Sequence, residues 1–212
     1  MAEPSALLVC NGDPPAASLV RRLARGASLV VAADGGAEAC RRCGVRPDVI
    51  IGDLDSLRTS TRRFFRASRV IRIRRQDNTD LEKALDYLRE GGVRQVTIAG
   101  AAGRRVDFTL ANLAVLCRYA SSMRIRCVGP GWYAVPVWRH LELKEPRGRI
   151  VSLVPFGTCR GVTLSGLRYP LRDAVLPAGR AAVSNVVRGK KCIVEIRSGR
   201  LLVLVLEGKA RA

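Results

Sequence analysis

The sequence predicts a two-part α/β plus all-β chain: a parallel-sheet α/β domain over residues 1–130, then a small β-sandwich over residues 131–212. Three observations carry this reading. Short apolar runs alternate with helically spaced segments through the first part, and strands apolar on both faces belong in a parallel sheet covered on both sides. The apolar runs end in turns rich in Gly, Asp and Asn. After Pro130 the composition changes, with Pro136, Pro146, Pro155, Pro170 and Pro177 and frequent Gly separating short β-type pieces.

Residues 6–10 are a first apolar run, closed by Asn11-Gly12-Asp13-Pro14. Residues 15–25 have helical spacing, with Leu19, Val20 and Leu23 on one side. Residues 28–33 form a second buried-strand run that ends at Asp34-Gly35-Gly36, and residues 48–51 a third that ends at Gly52-Asp53. Residues 70–73 are a fourth. Residues 79–89 read as a helix with Leu81, Ala84, Leu85 and Leu88 on one face. Thr79 and Glu82 fit a capping box, in which side chains at the N-cap and N3 satisfy free backbone N–H groups. A fifth strand covers 93–98, a helix 109–119 and a sixth strand 124–128. In the second part the β-type pieces are 149–154, 161–164, 192–197 and 201–206, and Ser198-Gly199 reads as a hairpin turn.

Composition limits the function. The chain has 212 residues and 48% hydrophobic content, enough for a packed core. No window holds the roughly 18 apolar residues of a membrane span. Met1-Ala2-Glu3-Pro4 lacks the basic flank of a secretory signal, so a cytoplasmic protein is expected. Seven Cys, an odd number in apolar surroundings, read as reduced buried thiols. Cys40 and Cys43 form a C-x-x-C, but a zinc site needs a second ligand pair. The net charge of +19, from 37 Lys and Arg against 18 Asp and Glu, invites a nucleic-acid reading. The Arg excess is spread along the chain, however, and the aromatic content is 5%, leaving few stacking platforms. The run Arg72, Arg74, Arg75 could equally guide an anionic nucleotide inward.

In an open parallel sheet, ligands bind beyond the carboxyl ends of the strands. Five successive strand ends carry unusual polar loops: Asn11-Gly12-Asp13, Asp34-Gly35-Gly36, Gly52-Asp53-Leu54-Asp55, Gln76-Asp77-Asn78-Thr79-Asp80 and Gly100 through Asp107. Clustered carboxylates on a basic chain call for a cation, and Mg²⁺ prefers one or two carboxylates plus substrate oxygens. In an extended segment Asp53 and Asp55, two apart, would face one ion. Asp80, in the first helical turn, is either a further ligand or a complement to the helix dipole. Gly35 and Gly36 let backbone approach phosphates, and Arg104 offers a fork for phosphate oxygens. Asp107 could accept from a ribose hydroxyl or cap its helix. P-loop and G-x-G-x-x-G patterns are absent, and the only histidine, His140, lies outside the loop set, so a Ser-His-Asp triad lacks support.

These motifs together resemble thiamine pyrophosphokinases (thiamine diphosphokinases). The resemblance rests on Ala33-Asp34-Gly35-Gly36-Ala37, Gly52-Asp53-Leu54-Asp55-Ser56, Asp77-Asn78-Thr79-Asp80-Leu81-Glu82-Lys83 and Gly103-Arg104-Arg105-Val106-Asp107. In the second part it rests on Gly166-Leu167-Arg168-Tyr169-Pro170 and Ser184-Asn185. It implies Mg²⁺-dependent transfer of diphosphate from ATP to the hydroxyethyl oxygen of thiamine, giving thiamine diphosphate and AMP. It also implies a homodimer, with thiamine between the catalytic domain of one subunit and the β-domain of the other. Carried onto this chain, Asp53, Asp55 and Asp80 would hold Mg²⁺ and serve catalysis. Asp34, Gly35, Gly36, Arg104 and Asp107 would bind ATP, and Gln76, Ser184 and Asn185 thiamine. The chain departs from the usual pattern at Ala102, Phe108 and Val186. Two other readings are a diphosphokinase acting on a different alcohol, and a catalytically decayed basic protein that binds nucleotides or nucleic acid.

Overall fold

The computed structural model describes residues 3–75, 77–103 and 105–209. The chain divides into two compact units, one of Met1–Val115 with Ser122–Pro130, the other of Leu116–Ser121 with Gly131–Ala212.

The first unit is built on six parallel strands: β1 (Ser5–Val9), β2 (Leu29–Ala33), β3 (Val49–Gly52), β4 (Arg69–Arg72), β5 (Gln95–Ala99) and β6 (Arg124–Gly129). Their spatial order is β6-β5-β1-β2-β3-β4. The central strands are apolar on both faces, and Leu7, Leu8, Ile50, Ile51 and Ile98 are fully buried. The edge strand β4, Arg-Val-Ile-Arg, exposes Arg69 and Arg72, which discourages pairing with another chain.

Five helices link the strands: α1 (Ala17–Gly26), α2 (Gly36–Cys43), α3 (Thr59–Phe64), α4 (Asp80–Glu90) and α5 (Val106–Tyr119). Parallel crossovers are right-handed, so the march from β1 to β4 puts α1, α2 and α3 on one face. The return from β4 to β5 and on to β6 puts α4 and α5 on the other. In accord with this, α1 touches α2, α2 touches α3, and α4 packs on β2 and β3. The winding reverses between β1 and β5, the place where such sheets open a crevice. The α1–α3 layer exposes Arg21, Arg22, Arg25, Arg41, Arg42, Arg62 and Arg63. The one carboxylate in these helices, Glu38, accepts a hydrogen bond from the Thr61 hydroxyl.

The second unit holds eight strands in two antiparallel sets of four. The first is ordered β12 (Ala182–Val186), β9 (Arg149–Pro155), β14 (Leu201–Lys209), β7 (Trp132–Val137). The second is ordered β11 (Leu171–Leu176), β10 (Cys159–Ser165), β13 (Cys192–Glu195), β8 (His140–Leu143). Burial alternates along β9 and β13, giving each sheet one inward face, as in a sandwich. The expected hairpin at Ser198-Gly199 does not form. β13 pairs with β10 and β8, while β14 pairs with β7 and β9, so this turn carries the chain from one sheet to the other. Its geometry is held from outside the turn, by Arg160 N–H donating to the Ser198 carbonyl.

All seven cysteines are buried and unbridged. Burial pushes the Cys40 thiol up to about 12, and that of Cys43 also upward, so the C-x-x-C pair carries no reactive thiolate. Among the described residues, no helix is long and apolar enough to cross a membrane.

Candidate functional site

A cavity of about 730 Å³ opens at the carboxyl ends of the parallel strands. Loops after β1, β2, β3, β4 and β5 all contribute to its lining, among them Asn11, Asp34, Asp53, Asp80, Lys83 and Gly103. Backbone bonds fasten the loops to one another. Gly12 N–H donates to the Gly100 carbonyl at 2.7 Å, and Asp13 N–H to Ala102 at 2.7 Å. The approach is so close that a Cβ on Gly12 would lie 2.3 Å from the Ala102 carbonyl oxygen. Gly36, which begins α2, is equally constrained, because its Cβ would lie 2.0 Å from the Val9 carbonyl oxygen.

Asp34 is the most constrained acidic residue of the cavity. Its backbone has φ of +40°, unusual outside glycine, and the residue is only 4% exposed. Its Oδ2 accepts from Ser56 N–H at 3.1 Å, while its buried Oδ1 has no hydrogen-bond partner. Burial raises its carboxyl to about 6; hydrogen bonding to Ser56 opposes the rise, and the charges of Asp80 and Asp55 add to it.

The carboxylates of Asp34, Asp53 and Asp80 converge, each offering an oxygen within 4.8 Å of the others. Asp80 owes its place to the capping box. The Thr79 side chain accepts from Glu82 N–H and the Glu82 carboxylate accepts from Thr79 N–H, so α4 starts at Asp80. One turn on, Lys83 sends its ammonium back to Asp80 Oδ1 at 2.9 Å and toward Asp53 Oδ2 at 3.8 Å, with its side chain 2% exposed. Asp55 takes another course. Leu54 has φ of +67°, so the segment turns rather than extends and the alternation assumed for Asp53 and Asp55 is lost. Asp55 donates its N–H to Asp53 Oδ1 at 3.2 Å, and its carboxylate accepts from the Ser56 hydroxyl at 3.0 Å.

Asp77 lies on the rim, paired with Arg75 at 2.8 Å. Asp107 is exposed in the first turn of α5. It accepts from Arg105 Nε at 3.1 Å, which holds its carboxyl below the ordinary range. From α5 the cavity is lined by Phe108, Thr109 and Asn112, and Asn112 donates to the Ala101 carbonyl at 2.8 Å. Gln76 and Arg104 lie outside the described residues. In the second unit, exposed Ser184 has φ of +59°. Asn185 is buried, and its amide clamps the backbone of Tyr169, accepting from N–H at 3.0 Å and donating to C=O at 2.7 Å.

Sequence reasoning assigned Asp34 to nucleotide and gave Lys83 no role. The i, i+3 spacing of Asp80 and Lys83 on a helix was the available signal for the latter. The convergence of Asp34 depends on a left-handed backbone that no spacing rule shows. The donor set suits a hard divalent cation, since all three residues offer carboxylate oxygen and Asp34 Oδ1 is a buried acceptor with nothing to accept from.

Residues 20–128 match the family described as thiamin pyrophosphokinase, catalytic domain, and residues 140–203 match thiamin pyrophosphokinase, vitamin B1 binding domain. Thiamine pyrophosphokinase 2 of Arabidopsis thaliana is 30% identical over 180 residues, 76% of this chain; the chain spans only 66% of that protein's length. Thiamine pyrophosphokinase of Bacillus subtilis (strain 168) is 26% identical over 192 residues, covering 84% of this chain and 86% of that one. The crystal structure of thiamine pyrophosphokinase from Bacillus subtilis shares the fold with a TM-score of 0.83 at 23% identity, over 95% of this chain and 98% of that chain. Thiamin pyrophosphokinase from Candida albicans shares it with a TM-score of 0.82 at 17% identity, over 96% and 89%.

Proposed function

Because the chain belongs to the thiamin pyrophosphokinase family, whose enzymes transfer diphosphate from ATP to thiamine, we propose that it carries out this transfer itself, giving thiamine diphosphate and AMP. The observation that carries the proposal is the convergence of Asp34, Asp53 and Asp80 at the open end of the sheet, with one buried oxygen left unpartnered.

The reaction joins the hydroxyethyl oxygen of thiamine to the β-phosphorus of ATP, breaks the bond from that phosphorus to the AMP oxygen, and releases the hydroxyl proton. Such transfers depend on positioning and on neutralising charge that develops on phosphate oxygens. Mg²⁺ is the cation that Asp34, Asp53 and Asp80 fit, and when bound it supplies that neutralisation. The chain's own groups orient the rest. The loops after β1 and β5 are stitched together by backbone bonds, which gives the cavity a rigid wall. The N–H groups at the start of α2, at Gly35 and Gly36, favour an anion. Arg104 is assigned to phosphate, Asp55 to the outer part of the metal site, and Asp107 to the nucleoside. Gln76, Ser184 and Asn185 are assigned to thiamine. Asn185 acts there by fixing the backbone of Tyr169, a residue that is 58% exposed.

Two further assignments go with this reading. The protein is placed in the cytoplasm and acts as a homodimer. Support for the second comes from the start of α5, where Val106 and Leu110, one turn apart, are 71% and 59% exposed. The test is direct: purified protein with ATP and Mg²⁺, with and without thiamine, assayed for AMP and thiamine diphosphate. Both products should appear only when thiamine is present. AMP release indifferent to thiamine, or transfer to another alcohol in its place, overturns the proposal.

A further inference from the structure

Lys83 lies in the acidic site and has no role in the transfer described above. Its side chain is 2% exposed, and its ammonium faces Asp80 at 2.9 Å and Asp53 at 3.8 Å. A buried ammonium is retained only where carboxylates compensate its lost hydration, so the three groups form a unit. Asp34 stands apart from that unit: the ion pairs of Lys83 reach Asp53 and Asp80, and Asp34 Oδ1 stays without a partner. The three carboxylates whose oxygens lie within 4.8 Å of one another carry three negative charges, and Lys83 offsets one of them before any cation arrives.

We propose that Lys83 is a positioning residue that acts as a resident counter-ion: it holds Asp53 and Asp80 in register before metal arrives and offsets part of the negative charge of the site. The proposal rests on reading Asp34, Asp53 and Asp80 as the metal site. It has a consequence opposite in sign to that of an ordinary structural lysine. An ammonium this close to the ligands repels the incoming cation, so removing its charge should weaken the metal-free protein and strengthen metal binding. A lysine that merely packed α4 would weaken both.

The test uses the full chain and Mn²⁺ alone, with no nucleotide. Bound Mn²⁺ is counted by electron paramagnetic resonance, and thermal unfolding is followed with and without the ion. Wild type should bind one Mn²⁺, and Asp53→Asn should lose it. Lys83→Met should melt lower without metal, bind Mn²⁺ tighter by about tenfold or more, and gain more stability from the ion than wild type does. Unchanged or weaker Mn²⁺ binding by Lys83→Met, with wild type binding normally, overturns the proposal alone. Wild type that takes up no Mn²⁺ overturns the reading of the site itself. If Lys83→Met fails to fold without metal, Lys83→Gln, which keeps a donor for Asp80 at neutral charge, is measured in the same way. A variant that folds only once Mn²⁺ is supplied supports the proposal, and one that Mn²⁺ does not rescue counts against it.

Discussion

Asp34 occupies a left-handed backbone conformation, is nearly buried, and leaves one carboxylate oxygen without a partner. Strain of this kind costs about 1–3 kcal/mol and persists where the surroundings enforce it. Asparagine tolerates the same backbone and keeps an acceptor for Ser56 N–H. The folded carboxyl titrates near 6 against an ordinary 3.8, so its ionisation destabilises the fold fully above pH 6 and not at all below 3.8. Metal-free Asp34→Asn should therefore melt above wild type at neutral pH, with the gap closing as pH falls through that window, while divalent-ion binding is lost. Thermal scans across pH with and without Mn²⁺ check both halves. In wild type the same proton should make divalent-ion affinity fall as pH drops through about 6, which Mn²⁺ titration across pH checks. Asp53→Asn leaves Lys83 its 2.9 Å pair with Asp80, so the fold should survive while turnover falls by about 10²-fold or more. Circular dichroism and AMP release would show whether the two effects separate. At this scale the sequence displayed which carboxylates exist and which loops carry them. It could not display that Leu54, at φ of +67°, breaks the extended run between Asp53 and Asp55, or that Asp34 brings a carboxylate oxygen within 4.8 Å of those of Asp53 and Asp80.

The element that organises the site is α4. Its N-terminus is fixed by Thr79 and Glu82, and this boundary decides that Asp80 and Lys83 lie one turn apart on the same side. Thr79→Ala should cost about 1 kcal/mol in stability and loosen divalent-ion binding, because the first turn carries Asp80. Denaturant unfolding and Mn²⁺ titration of the one variant measure both, and intact binding in a destabilised variant would argue against this coupling. The capping box was legible because it is written in residue types at fixed spacing. The helices α2 and α3 were not, since eight and six residues hold too few turns for a hydrophobic period to stand out. The sheet-to-sheet turn at Ser198-Gly199 was misread for a related reason: turn residues announce a reversal of the chain, but not whether the strands on either side pair with each other.

Across the molecule, charge is distributed with a clear bias. The α1–α3 layer exposes seven arginines, and from Arg58 to Arg75 the chain has eight arginines and no carboxylate. Part of this run reaches the site, since Arg72 Nε donates to the Asp53 carbonyl at 3.2 Å. Under the proposed function, this bias should steer ATP toward the site electrostatically. Association of a fluorescent ATP analogue should slow as ionic strength rises toward and beyond 0.1 M, where the screening length is about 10 Å. Arg62→Glu with Arg63→Glu should flatten that dependence while kcat is unchanged. A salt-independent association rate would remove the role.

The seven buried, unbridged cysteines have a use that chemistry outside the active site does not exhaust. Cys10, Cys40, Cys43 and Cys127 belong to the first unit, and Cys117, Cys159 and Cys192 to the second. A thiol reagent meets none of them until its surroundings open, so the chain carries a built-in clock for each half. Pulsed alkylation read by peptide mass would time the opening of the two units separately, without introducing a single label.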